Sequence, residues 1–140
     1  ENFIELADLL YKKKLFDYIY LICGPEKKYI AEKIIMLSKK KYYVDCSNKD
    51  LAGVITAIKN SDFFVGNNSG PLNLASALGV KSYGLIANDA INELKYSKIN
   101  FIVPDNYQDN TWIRDRKNMR TLTTKKVYKT LIERISDESK

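Results

Sequence analysis

The chain has no histidine, only two cysteines, three prolines, six glycines and one tryptophan in 140 residues. Without histidine, a His-ligated zinc site and a Ser-His-Asp mechanism are both excluded. Cys23 and Cys46 share no metal-ligand spacing, and two cysteines make no disulfide framework. Free thiols in a reducing compartment are the expectation, which agrees with a cytoplasmic protein. No apolar run approaches the roughly 18 residues needed to cross a bilayer. The N-terminus reads ENFIELADLL, an amphipathic helix pattern rather than a signal peptide. It lacks an initiator Met, so the chain is expected to be a piece of a longer protein.

Apolar residues make up 45% of the chain, enough for one packed core and too many for a disordered segment. Lys and Arg number 23 against 17 Asp and Glu, a net charge of +6. That excess admits several anionic partners: phosphorylated sugars, acidic lipid or nucleic acid. The segment RDRKNMR, residues 114–120, with Trp112 nearby, suits an anionic acceptor, a membrane surface or a single strand of nucleic acid. A solvated loop is the favoured reading, as for most charge runs.

Short apolar runs alternate with helical patterns. Phe3, Leu6, Ala7 and Leu10 lie at helical spacing and predict a helix over 2–13. DYIYLIC, residues 17–23, reads as a strand stopped by Gly24-Pro25. Residues 26–40 read as a helix with Ile30, Ile34 and Leu37 on one face, and 42–46 as a second strand. Ser47 is a candidate cap for a helix that buries Leu51, Val54, Ile55 and Ile58. Residues 62–65, 81–86 and 99–103 read as strands and 90–96 as a short helix. Thr123 or Thr124 caps a last helix with Tyr128, Leu131, Ile132 and Ile135 on one face. The pattern predicts an α/β fold with a Rossmann-like, doubly wound parallel sheet and one domain over residues 1–140.

The densest signal is SDFFVGNNSGPLNLASALGVKSYGLI, residues 61–86. It reads as strand, glycine-containing turn, short helix and strand. Pro71 suits the start of a helix and Gly79 the left-handed position after its end. A helix N-terminus after a strand presents unpaired N–H groups and partial positive charge, which suit a phosphate. Gly70 is expected to allow close backbone approach and a positive-φ turn. In doubly wound sheets ligands bind at the carboxyl ends of strands, where Gly24, Ser47, Gly66 to Gly70 and Ala87 fall.

These residues resemble glycosyltransferase family 9, the ADP-heptose:lipopolysaccharide heptosyltransferases, in the C-terminal, donor-binding half of its two-domain GT-B fold. The most specific block is DLAGVITAIKNSDFFVGNNSGPLNLASALGV. YLICGP resembles the family's strand ending in Gly-Pro, ENFIELADLL the helix after its first donor-side loop, and MRTLTTKKVYKTLIERI its closing helix. The family's turn usually reads Gly-Asn-Asp-Ser-Gly-Pro-x-His, and its residues contact the donor sugar and phosphates. Gly66, Asn67, Ser69, Gly70 and Pro71 keep that pattern. Asn68 stands where the acid is usual and Asn73 where the histidine is. An amide still hydrogen-bonds a hydroxyl or phosphate, but supplies no negative charge and does not titrate near neutrality.

The resemblance implies a donor site of Asn67, Asn68, Ser69, Gly70, Pro71 and Asn73. Gly24 with Glu26 or Lys27 would border the adenosine, and Asp89 would approach the sugar. It implies inverting transfer from an ADP-sugar without metal or cofactor. The acceptor, a glycan or a lipid-linked one, would be held by an upstream half that also carries the catalytic base. The work would be done in the cytoplasm, at the inner face of the membrane, as a step of lipopolysaccharide biosynthesis. Two other readings use the same residues: a binding-only module that performs no chemistry, and a basic α/β protein that binds nucleic acid, though the resemblance favours no nucleic acid.

Overall fold

The computed structural model describes residues 2–87, 91, 98–108 and 118–137. The chain forms two compact units, Glu1–Asn60 and Ser61–Lys140. The fold is Rossmann-like α/β: among the described residues all strand pairs are parallel, and helices fall between most successive strands.

In the first unit, α1 (Asn2–Lys12) leads to β1 (Ile19–Leu21), and a 3-10 turn (Pro25–Lys27) runs into α2 (Lys28–Ser38). Then come β2 (Tyr43–Asp45) and α3 (Leu51–Lys59). β1 and β2 pair in register Ile19↔Tyr43 to Leu21↔Asp45. The core here is Leu6, Ala7, Leu10, Ala31, Tyr42, Cys46, Ala57 and Ile58.

The helix expected over 2–13 is present as α1, with Leu6, Ala7 and Leu10 buried and Phe3 exposed. Other sequence expectations fail in this unit. The cap of α3 is Asp50, whose carboxylate accepts from Gly53 N–H at 2.9 Å; Ser47 is buried instead. A carboxylate three residues before the recipient N–H is the better acceptor for the positive helix end. Leu51 is 67% exposed, and burial on α3 is concentrated at Ala57 and Ile58 in its last turn. Periodicity identifies a face but not how far along it another element lies. In α2 the buried position is Ala31, while Ile30 and Leu37 face outward. This helix is apolar around most of its circumference, so spacing alone did not choose the side that packs.

Tyr42 organises an aromatic cluster. It stacks on Tyr11 with ring centroids 4.8 Å apart and meets Phe16 edge-on at 5.3 Å. Its hydroxyl donates to Asp8 Oδ1 at 2.8 Å. Burial first, then this hydrogen bond, push the phenol well above its ordinary range. The folded state therefore holds the proton more tightly than the unfolded chain. Its contribution is complete below about pH 10 and is lost as pH rises from there toward the raised value. Tyr42→Phe is expected to cost about 1 kcal/mol at neutral pH and to flatten the loss of stability above about pH 10. Urea titrations of both proteins at neutral and alkaline pH check this; parallel alkaline losses would contradict it.

In the second unit, β3 (Phe63–Asn67), β4 (Lys81–Leu85) and β5 (Ile99–Ile102) form a sheet in that order. α4 (Gly70–Ala77) crosses from β3 to β4, and α5 (Thr124–Asp137) closes the described chain. The register runs Phe63↔Lys81 to Asn67↔Leu85, then Ser82↔Ile99 to Leu85↔Ile102. Leu72 and Ala75 of α4 are fully buried, with Tyr83, Leu85, Ile86, Ile102, Val127 and Leu131 in the same core. Gly84 permits the close packing: a Cβ there would stand 2.9 Å from Ile99 Cγ2 and 3.0 Å from Leu72 Cδ2. Burying Leu72 contributes about 1.5–3 kcal/mol and fixes α4 on the sheet.

The end of α4 follows the expected pattern. Gly79 has φ +78, its N–H donates to Ser76 O at 3.1 Å, and Val80 N–H donates to Ala75 O at 3.0 Å. This is the paired closure of a left-handed helix end. Thr123 rather than Thr124 caps α5, accepting from Lys126 N–H at 3.2 Å. Arg134 ties α5 to β5 by donating to Phe101 O at 3.2 Å. The expected helix over 90–96 and the Trp112 and Arg114 segment lie outside the described residues, apart from residues 91 and 118–120.

Candidate functional site

β3 ends at Asn67, and the chain turns through Asn68 and Ser69 directly into α4. The central strand β4 carries this turn, since Asn67 is in register with Leu85 and the chain beyond, Ile86 and Ala87, is buried. Asn67, Asn68, Ser69 and Gly70 are all exposed. The helix N-terminus therefore opens to solvent at the carboxyl end of the parallel sheet.

The groups available there can be counted. Helix geometry leaves the N–H groups of the first turn without intrahelical partners. Asn73 N–H already donates to Ser69 O at 3.2 Å, and Pro71, the second helical residue, has no N–H. Gly70 and Leu72 supply the remaining two. Ser69 sits at the cap in an extended conformation, φ −162 and ψ 165, and its side chain makes no capping hydrogen bond. That hydroxyl is the residue type that normally serves the helix, yet here it is not used for it. Asn73 turns back along α4: Nδ2 donates to Ser69 O at 3.1 Å, and Oδ1 is enclosed with no hydrogen-bond partner. The amide reaches the exposed side of the turn only by swinging off Ser69.

Gly70 corrects one expectation. Its φ is not positive; among the glycines only Gly79 has a positive φ. A Cβ at Gly70 would meet nothing within 4 Å. Beyond its chain neighbours, nothing packs where that side chain would stand, and a helix N-terminus with no side chain admits a ligand close to its N–H groups.

Gly24 and Glu26 belong to the first unit. Gly24 is the extended residue before the 3-10 turn, φ −65 and ψ 155, with Pro25 opening that turn. Glu26 is exposed, and its carboxylate folds back over Gly24 where a Cβ would otherwise stand. Lys27 N–H donates to Gly24 O at 2.8 Å, so the turn is held by its own backbone. Asn88 and Asp89 lie outside the described residues.

One carboxylate at a strand end was missed by sequence reasoning. Asp45 closes β2, is exposed, and accepts from Ser47 N–H at 2.8 Å. The signal was an acid at the end of a predicted strand, a position where parallel sheets present ligand contacts. Its remaining lone pairs can accept from a hydroxyl. The cysteines offer no nucleophile. Both are free, and burial, the largest influence on each, raises both thiols above their ordinary range. Among the described residues no His, Cys, Asp or Glu cluster suits a metal ion, and no helix is long and apolar enough to cross a membrane.

The sequence model of glycosyltransferase family 9 (heptosyltransferase) matches residues 1–129, nearly the whole chain. No curated protein and no solved structure matches it.

Proposed function

Because the chain belongs to glycosyltransferase family 9, we propose that its Asn67–Asn73 turn holds the diphosphate of a nucleotide-sugar donor, an ADP-activated heptose or a related sugar, for inverting transfer. One observation carries this reading. The N-terminus of α4 opens to solvent with a Ser69 hydroxyl that makes no capping hydrogen bond and with no side chain at Gly70. The phosphates accept from the Gly70 and Leu72 N–H groups and from Ser69, and Asn67 and Asn68 hydrogen-bond phosphate or sugar hydroxyls. In an inverting reaction the acceptor hydroxyl attacks the anomeric carbon from the face opposite the diphosphate. The carbon–oxygen bond to the diphosphate breaks, and negative charge grows on the departing nucleotide. Fixed N–H dipoles aimed at that oxygen stabilise the charge where it develops.

This reading needs no metal and sets the work in the cytoplasm, on a lipopolysaccharide-type acceptor. The second reading is a binding-only module. Asn68 favours it, because an amide supplies no charge where the family usually has an acid, and so does the commitment of Asn73 to Ser69 O.

Calorimetry with ADP, UDP and an ADP-sugar tests both readings. The expected result is binding of the adenine nucleotides with a dissociation constant of about 0.1–1 mM, or −4 to −5.5 kcal/mol. A folded chain that binds none of them at millimolar concentration would refute the donor site. Affinity for nucleic acid that falls steeply with salt, with indifference to nucleotides, would point to the third class of function.

A further inference from the structure

The outward face of α2 carries large apolar side chains that are exposed. Ala31 is buried, and Ile34 and Ile35 are half-buried beside it. On the opposite side, at helical spacing, lie Tyr29, Lys33, Met36 and Leu37, all exposed; Tyr29 is 65%, Met36 67% and Leu37 50% accessible. A helix apolar on both sides is expected to be covered on both. The charges around this face are of nearly one sign. Residues 26–41 carry six lysines, 27, 28, 33, 39, 40 and 41, against two acids, Glu26 and Glu32. Glu32 is paired with Lys28 at 3.3 Å. Lys27 and Lys28 stand at one end of the helix and Lys39, Lys40 and Lys41 just past the other. The helix is about 16 Å long, so both lysine groups lie within side-chain reach of one flat surface.

We infer that α2 is a membrane-surface element: it lies along an anionic bilayer with Tyr29, Met36 and Leu37 in the headgroup boundary and the lysines on lipid phosphates. Charge complementarity selects this occupant. An apolar strip bounded at both ends by lysines matches an anionic interface, where apolar area and cationic charge act together. Tyrosine suits such a boundary, with an apolar ring and a wet hydroxyl. Lysine stems cover apolar surface while their heads reach the phosphates. This does not depend on the Asn67–Asn73 turn, which lies in the other unit.

Co-sedimentation with vesicles tests the inference. The chain is expected to pellet with vesicles of phosphatidylcholine containing about one-third phosphatidylglycerol, and not with phosphatidylcholine alone. Binding should weaken strongly at about 1 M salt, where screening acts over about 3 Å. Lys40→Glu with Lys41→Glu should lower the partition coefficient at least about thirtyfold, as expected for roughly 1 kcal/mol per lysine. Met36→Glu with Leu37→Glu should abolish binding while the circular dichroism spectrum is unchanged, because both positions are exposed. Sedimentation velocity separates the competing occupants. A dimer that falls apart in Met36→Glu with Leu37→Glu, without vesicle binding by the wild type, overturns the inference in favour of a second copy. A folded monomer that ignores anionic vesicles also overturns it and assigns the face to another protein surface. Equal vesicle binding by wild type and the Met36, Leu37 variant removes α2 from the contact.

Discussion

Gly70→Val leaves the chain folded and removes nucleotide binding. The first half follows from space and backbone. A Cβ at Gly70 meets nothing within 4 Å, and the backbone is outside the positive-φ region that only glycine tolerates well. Because Gly70 precedes Pro71, a β-branched side chain crowds the helical backbone there. A modest loss of about 1 kcal/mol, or roughly 4 °C in the thermal midpoint, is expected. The second half follows from what occupies the open space. A branched side chain would stand over the N–H groups that the diphosphate needs, and no rotamer of valine withdraws it. At least a tenfold loss of affinity is expected, about 1.4 kcal/mol or more, with Gly70→Ala intermediate. Gly79→Val supplies the opposite pattern. Its φ of +78 makes a side chain strained, at about 1–3 kcal/mol, at the far end of α4 from the turn. It should lower stability and, while folded, bind normally. Melting curves and calorimetry on the three variants decide the matter. Normal binding by Gly70→Val would remove the turn from the site.

The parts of this molecule that could be read before its structure are those governed by local chemistry. Pro71 in the first turn and Gly79 after the last bracket α4 because each acts on its own backbone, through a missing N–H and a left-handed φ. The order of strands and helices was legible for the same reason: short apolar runs punctuated by glycine, proline and caps. What local chemistry does not contain is the direction a helix faces. In α2, Ile30, Ile34 and Leu37 make as plausible a stripe as Ala31, Ile34 and Ile35, and only packing chose the second. Ser47 and Asp50 both precede α3 with capping side chains. The carboxylate took the cap and the serine was buried, a competition settled in three dimensions.

The candidate site shows the same division. The resemblance pointed to the Ser69-Gly70-Pro71 turn, and the fold brings Asn67 to Gly70 together at one exposed strand end. It did not reveal that Asn73 spends its amide on Ser69 O, or that Gly70 stands in open space rather than in a strained turn. Asp45 stands one residue before the end of the strand predicted over 42–46, and pairing with β1 makes it the last strand residue.

The 140 residues alone are expected to transfer no sugar to any acceptor. Transfer needs a base for the acceptor hydroxyl, a contribution of typically 10²–10⁴-fold in rate. The chain has no histidine, and both thiols are raised by burial. Transfer also needs the acceptor held in line with the anomeric carbon, a positioning effect of about 7–11 kcal/mol. In the proposed site the Asn67–Asn73 turn would supply hydrogen-bond donors for the leaving diphosphate and nothing that orients a second substrate. A radiolabelled-donor assay with lipid-linked and soluble acceptors measures this, and robust transfer would overturn the donor-half reading. Joined to an acceptor-binding half of its family, the same chain separates the two proposed functions. Asn68→Asp restores a charge at the turn, and Asn73→His restores a titratable group while giving up the bond to Ser69 O. If the pair transfers sugar and the wild type does not, the site is a transferase in which two amides have replaced catalytic chemistry. If the wild type transfers as fast as the pair, the amides are the working solution, and an acid and a histidine are not required at this turn. If neither transfers while both bind nucleotide, the chain is a binding module that keeps the donor turn without the reaction.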